Sequence, residues 1–324
     1  MRLGLFWRCC SEGVGLLGLF QTRANAPQPG QAVCKSTLTT AWSQTKLAHE
    51  LELHSAVGVH PRVVRLHGFS SDASFCYLLL DAVGSGTTLS DAVRHRGAIP
   101  EWEVASHMRA MLSGLAYLHS IGIAHRDVKP ANCLLRGTEA RFPLGSGQDS
   151  SLVLCDLGLA ARCPPKRTGL CGTPNFVAPE VLARTGHDTQ VDVWSAGAVA
   201  FTLLAGVPPF KAPSVDATYV RVRSGIYTPP PHISGDACDF MARSLVMCPD
   251  ARATAAELLQ HPFTAPAGEG YGEAVDALCG RLAALRTRTS AANGADSPGG
   301  SMRSGGTPDD EEEPRLRRIS WGGL

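Results

Sequence analysis

Apolar residues recur at spacings of three and four along residues 104–120, at Met108, Met111, Leu112, Leu115 and Leu118. Such spacing lays a single stripe along a helix, and a stripe of Met and Leu is a core face. The same period over 44–56, through Leu47, Leu51 and either Leu53 or Val57, predicts an earlier helix, and 88–96 predicts another. Short apolar runs at 63–66, 77–80, 133–135 and 152–155 have strand length, with 68–72 expected as the turn between the first two. Residues 137–151 are polar and Gly-containing and read as a surface insertion. Residues 192–204 form a strongly apolar helix. Past residue 264 the composition changes. Val275, Leu278, Leu282 and Leu285 mark one more helix, able to dock on the domain or on a partner. Residues 287–324 are rich in Gly, Ser, Pro and charge, a composition expected to be disordered.

Composition narrows the class. The 324 residues are 44% hydrophobic and 18% charged, enough for a sizeable core, and the formal net charge of +1 supplies no global field to recruit nucleic acid or membrane. Eleven cysteines occur without a C-x-x-C pair, which argues against zinc and for reduced thiols in an intracellular protein. No apolar run reaches the ~18 residues of a membrane helix. Residues 1–20 are apolar-rich and Ala24-Asn25-Ala26 resembles a cleavage site, but Arg8 and Glu12 interrupt the stretch, which weighs against a targeting segment.

The chemistry concentrates in His125-Arg126-Asp127-Val128-Lys129-Pro130-Ala131-Asn132, directly after the Met-and-Leu helix. Asp127 can orient a hydroxyl and accept its proton. Lys129 can neutralise a moving phosphoryl group, and Asn132 can reach a metal. Those are the parts of a phosphoryl-transfer site. The octapeptide resembles the catalytic loop of eukaryotic protein kinases.

Other segments extend the resemblance. Gly13-Val14-Gly15-Leu16-Leu17-Gly18 is a G-x-G-x-x-G, with Gly13, Gly15 and Gly18 free to let backbone N–H groups approach phosphates. Ala32-Val33-Cys34-Lys35 is similar to the family's V-A-I-K, which implies that Lys35 holds the α- and β-phosphates. Glu50 is the expected carboxylate partner of Lys35, with Glu52 as the alternative. The resemblance further implies a hinge in which the backbones of Asp81 and Val83 bond the adenine edge, Leu80 guarding the back of that pocket, Val33 above the ring and Leu134 below it. Asp156-Leu157-Gly158 resembles D-F-G, with Asp156 and Asn132 as Mg²⁺ ligands. Cys171-Gly172-Thr173-Pro174 and Ala178-Pro179-Glu180 close the activation segment. Lys129 and Thr173 mark a Ser/Thr rather than a Tyr kinase. Where the family often carries a phosphorylated Thr, Gly169 stands, with Thr168 one residue earlier. Glu180 is expected to pair with Arg252, and Asp192 to brace the catalytic loop.

Residues 175–227 look most like Polo-like kinases, with Aurora kinases next, while the tail lacks the length to hold paired polo boxes. The expectation is therefore an α+β, two-lobed protein-kinase fold. Residues 1–83 form the mainly β lobe, 84–264 the mainly helical lobe, and 265–324 a helix plus tail. The implied activity transfers the ATP γ-phosphate to Ser or Thr hydroxyls of protein substrates, with ATP and Mg²⁺ bound, Asp127 as catalytic base and Lys129 beside it. A cytoplasmic setting, or a nuclear or centrosomal one, follows only by resemblance, and no partner beyond protein substrates is implied. The rivals are a catalytically silent kinase-like scaffold and a small-molecule kinase of similar fold. The presence of Lys35, Asp127, Asn132 and Asp156 argues against the first, and Thr173-Pro174 with Ala178-Pro179-Glu180 against the second.

Overall fold

The computed structural model describes residues 3–4, 15–21, 27–34, 41–71, 75–137 and 150–265. Gly13, Lys35 and the tail beyond residue 265 lie outside them. The described residues separate into a five-stranded sheet with one helix and a larger helical part, the two-lobed architecture expected from the sequence.

The sheet is antiparallel throughout, in the order β1-β2-β3-β5-β4. β1 is Leu3–Gly4, β2 Gly15–Gln21, β3 Pro27–Cys34, β4 Leu66–Ser71 and β5 Phe75–Leu80. β3 is flanked on both sides, with Val33 opposite Gly15 on β2 and Cys76 on β5. Helix α1, Ala41–Val57, follows β3 and buries Leu53, His54 and Val57, while Leu47 and Leu51 stay half-buried.

One predicted strand moves. Residues 63–66 were expected as strand and 68–72 as turn, yet β4 runs through Leu66–Ser71 with a register shift between Leu66 and Gly68. β4 is an edge strand, so its exposed face needs no apolar alternation and Phe69 stands half in solvent. Val63 instead spans the two parts of the fold as an isolated bridge to Leu154, and Val64 N–H donates to the Leu154 carbonyl at 2.8 Å.

Helices α2, Leu89–Arg96, and α3, Glu101–Ser120, lead into β6, Ile123–Ala124. Thr88 and Asp91 form a reciprocal capping box that starts α2. The α3 stripe is buried as its periodicity predicts. The remaining strands are two short pairs: β7, Cys133–Leu135, with β8, Leu152–Leu154, and β6 with β9, Ala161–Arg162. Helices α4, Pro179–Ala183, α5, Gln190–Ala205, α6, Val215–Ser224, α7, Gly235–Ser244, and α8, Ala255–Leu259, complete the order. α5 is buried almost all round, with Trp194 stacked on Phe210 at 5.4 Å. It is the central rod that fixes the catalytic loop.

At the junction of the two parts, Gly84 has φ +50°, and a Cβ there would lie 2.7 Å from the Leu135 carbonyl oxygen. The chain leaving β5 thus passes against the end of β7 at a distance only glycine permits.

Candidate active site

The catalytic loop lies between β6 and β7, and its shape is imposed from beneath by Asp192 in the first turn of α5. The Asp192 carboxylate is fully buried and accepts the backbone N–H groups of His125 at 2.8 Å and Arg126 at 2.7 Å, together with His119 Nε2 at 2.9 Å. Burial alone would raise its pKa, but the His119 hydrogen bond and the nearby imidazoles hold it below the usual carboxylate range. The clamp holds Arg126 at φ +64°, a conformation disfavoured for a residue with a Cβ.

That turn projects Asp127 into a closed polar network. Its Oδ2 accepts Lys129 Nζ at 2.7 Å and Asn132 Nδ2 at 3.1 Å, and its Oδ1 accepts the Thr173 hydroxyl at 2.8 Å. Lys129 Nζ also donates to Thr173 Oγ1 at 3.0 Å, and Asn132 Nδ2 to the Asp127 carbonyl at 3.0 Å. All three loop side chains are buried. The network joins the catalytic loop to the activation segment through one hydroxyl. His125 ties the loop to the next strand. Its Nδ1 accepts Asp127 N–H at 3.3 Å, which places the proton on Nε2, the donor to the Cys155 carbonyl at 3.0 Å.

Asp156 follows Cys155 directly, at φ +66°, and its Oδ1 accepts Gly158 N–H at 3.2 Å. A Cβ on Gly158 would lie 3.2 Å from Asp156 Oδ1 and 3.5 Å from Glu50 Oε2, so α1 presents Glu50 to this corner. Glu52 points elsewhere: its largely exposed carboxylate lies 4.0 Å from Arg162 Nε. Of the two carboxylates weighed from sequence, Glu50 is the one turned towards Asp156.

The remaining predicted residues separate by how the structure treats them. Gly15 and Gly18 lie inside β2, opposite Val33 and Gly30, rather than at the end of a first strand. Strand pairing uses backbone alone, so glycine can continue a ladder, at some cost in chain entropy. Val33 sits in β3 one residue before Cys34, which ends that strand, and Lys35 comes next. Val83 is buried in a small apolar cluster with Val64 and Val153, against which Leu80 and Leu134 pack. Its carbonyl accepts Gly86 N–H at 3.0 Å, and its own N–H meets no acceptor among the described residues. Asp81 gives its backbone N–H to Arg65 at 3.1 Å, and its side chain accepts from His67 at 2.7 Å on the outer side of β5.

Glu180 and Arg252 form a buried bidentate pair at 2.9 and 3.2 Å, with the guanidinium 5.3 Å from the Trp194 ring. Sequence reasoning missed His187. It is buried, its backbone exchanges two hydrogen bonds with Arg167 at 2.7 and 2.8 Å, and its Nε2 lies 3.4 Å from Arg126 Nη1. No local pattern marks it, because its partners lie 20 and 61 positions away in the chain. Thr168 is exposed, and Arg126 is engaged by His187 and by the Leu159 carbonyl at 2.7 Å.

Comparison with known families decides the lineage. The profile described as "Protein kinase domain" matches residues 30–264. The chain belongs to the protein kinase family. The match begins after the glycine-rich stretch and includes every residue of the network above. Similar proteins include the probable serine/threonine-protein kinase CCRP1 of Zea mays, 35% identical over 240 residues, covering 72% of this chain and 36% of that one. The inactive serine/threonine-protein kinase PLK5 of Mus musculus is 37% identical over 221 residues, covering 67% and 35%. Serine/threonine-protein kinase PLK4 of Drosophila ananassae is 36% identical over 222 residues, covering 67% and 27%. The chain thus spans roughly a third of the length of these curated relatives. No described helix is long and apolar enough to cross a membrane.

Proposed function

We propose that this protein kinase transfers the γ-phosphate of ATP to Ser or Thr hydroxyls of protein substrates. The observation that carries this reading is the network of Asp127, Lys129, Asn132 and Thr173, closed by four hydrogen bonds of 2.7 to 3.1 Å around one carboxylate. A substrate hydroxyl displacing part of it meets an oriented carboxylate, which takes the proton as the new P–O bond forms. It also meets an ammonium that stabilises charge on the transferred group. Thr173 holds both partners in register, so positioning and electrostatics supply most of the rate.

The donor set suits Mg²⁺. The Asn132 amide nitrogen is committed to Asp127, which leaves its carbonyl oxygen as the ligand, and Asp156 adds a carboxylate. Hard oxygen donors of this kind are what Mg²⁺ takes. Asn132 and Asp156 would hold the ion, which neutralises phosphate charge when bound. Lys35, with Glu50 as its partner, is proposed to hold the α- and β-phosphates, and Gly13, Gly15 and Gly18 to cover them. The open Val83 N–H and the Asp81 carbonyl are proposed to bind the adenine edge, with Val33 and Leu134 on its two faces.

One relative, PLK5 of Mus musculus, is described as inactive, so a scaffold role is the reading to exclude. The test is Mg²⁺-dependent phosphate transfer to a generic Ser/Thr protein, with wild type beside Asp127→Asn and Lys35→Met. Transfer abolished by both changes supports the kinase and the lysine assignment. Transfer surviving Lys35→Met overturns the assignment of that lysine. Nucleotide binding without transfer in any sample favours the scaffold.

A further inference from the structure

Arg126 meets the activation segment near its start and its end, and through His187 at its middle. Its Nε donates to the Leu159 carbonyl at 2.7 Å, just past Asp156-Leu157-Gly158. Its Nη1 lies 3.4 Å from His187 Nε2, and the His187 backbone exchanges two hydrogen bonds with Arg167 at 2.7 and 2.8 Å. Further on, Gly172 has φ +97°, and a Cβ there would lie 3.1 Å from the Arg126 carbonyl oxygen. The segment thus crosses directly over the catalytic loop, and the next residue, Thr173, donates to Asp127 at 2.8 Å. Where the segment lies at Arg167 therefore bears on the hydroxyl that orients the catalytic carboxylate.

A guanidinium carries donors only. The Arg126 contact therefore makes His187 Nε2 the acceptor and puts the imidazole proton on Nδ1, which is buried and meets no hydrogen-bond partner among the described residues. An unpaired buried N–H costs stability. An apolar side chain would avoid that cost, but it would offer Arg126 no acceptor. The Cys171 thiol lies 4.0 Å from the same nitrogen. A doubly protonated ring would lose its acceptor and set a second cation against Arg126. Burial, and then Arg126, lowers the His187 pKa below the ordinary 6.5, against the pull of Glu180, Asp188 and Asp192. Lys166 Nζ stands 3.8 Å from the neighbouring Asp188. The neutral ring is thus the form that engages Arg126.

Phosphorylated loops are ordered by new pairs between arginine and phosphate. This segment is arranged otherwise. Gly169 carries no hydroxyl, and a Cβ built on it meets nothing within 4 Å. Thr168 is exposed, and Arg126 is committed to Leu159 and His187. We propose that His187 is a positioning residue: its imidazole holds Arg126, its backbone holds Arg167, and together they seat the activation segment for transfer without a phosphate on Thr168. This role rests on the kinase reading above.

The full chain, shown by intact mass to carry no phosphate, is compared with His187→Leu, His187→Gln and Thr168→Ala. Gln keeps an acceptor for Arg126, and Leu does not. One readout is Mg²⁺-dependent transfer from ATP to a generic Ser/Thr protein. The other is tryptic cleavage after Arg167, followed by mass spectrometry, which needs no transfer. His187→Leu should lower kcat about tenfold, as loss of one bond to a charged group implies, and should speed cleavage. His187→Gln should stay within about threefold of wild type, and Thr168→Ala within about twofold. Wild-type kcat should fall as pH drops from about 7.5 to 5.5, and fall less in His187→Gln, whose acceptor does not titrate in that range. Three results overturn the proposal: kcat unchanged in His187→Leu, His187→Gln impaired as deeply as His187→Leu, or a wild type that transfers phosphate only once Thr168 is phosphorylated. If His187→Leu does not fold, the pH profile of His187→Gln decides, and a fall identical to wild type overturns the role. If no sample transfers phosphate, the kinase reading fails and cleavage decides: protection kept in His187→Gln and lost in His187→Leu sustains the hold on the segment, and equal cleavage overturns it.

Discussion

At the scale of single residues, one hydroxyl joins two segments of the site. Thr173 donates to Asp127 and accepts from Lys129, so it fixes both side chains while belonging to the activation segment. Thr173→Val keeps the volume and removes both bonds. We expect kcat to fall about 10- to 100-fold, within the range for lost positioning, and Thr173→Ser to restore most of it; steady-state kinetics on one peptide decide. A Val variant as active as wild type would show that the hydroxyl is dispensable. His54 makes a different residue-level case. Its Nε2 donates to the Val64 carbonyl at 2.8 Å, and its buried Nδ1 meets no hydrogen-bond partner among the described residues. A second proton there would be buried without an acceptor, and burial lowers its pKa below the ordinary 6.5. The unfolded chain therefore takes up that proton first as pH falls. The stability that the neutral ring contributes is complete above pH 6.5 and is lost below it, by at most about 1.4 kcal/mol per pH unit. His187, lowered by burial and then by Arg126, adds in the same direction. Urea midpoints should drop between pH 7.5 and 5.5, and His54→Gln, which keeps a donor for Val64, should flatten that drop. An identical pH slope in the variant would remove His54 from the account.

Between elements, buried polar groups do the joining. Glu180 at the start of α4 and Arg252 just before α8 pair through two hydrogen bonds, and Arg252 also donates to the carbonyls of Gln190 and Val246. Arg252→Met would strand a buried carboxylate, and a loss of about 3–5 kcal/mol is expected. Glu180→Met made in the same chain should recover part of it, because no lone charge then remains. Chemical denaturation of the two singles and the double closes this cycle. Additive losses would mean that the pair is not coupled. The helices of this region were legible in the sequence because their stripes are long: the Met-and-Leu row of α3 and the apolar run of α5 each persist over several turns. The catalytic loop was legible because its chemistry needs fixed residue types at fixed spacing. β4 was misplaced because an edge strand is relieved of the alternation that marks a strand, so Gly68 and Ser70 read as turn. His187 and His119 were not legible at all. Each acquires its role from residues tens of positions distant, and no local pattern encodes that.

On the scale of the whole molecule, the backbone links that join the sheet side to the helical part include, among the described residues, Val64 to Leu154, Leu154 to Arg62, and the close pass of Gly84 against β7. Of the described residues proposed to hold nucleotide, Val33 and Glu50 lie on the side of the sheet and Asn132, Leu134 and Asp156 on the other. A ligand that touches both sides stabilises the folded chain by mass action, by about 2.7 kcal/mol at a hundred times its Kd. For a domain of this size that corresponds to a Tm rise of about 5–10 °C. A non-hydrolysable ATP analogue should produce such a rise, and adding Mg²⁺ should enlarge it, because the ion would join the phosphates to Asn132 and Asp156. Asp156→Asn keeps the shape of the side chain but removes its charge. In that variant the analogue should still raise Tm while the further gain from Mg²⁺ disappears. An Mg²⁺ increment equal to that of wild type would exclude Asp156 as a metal ligand. Loss of the analogue's own effect would mean instead that Asp156 acts by holding the junction together.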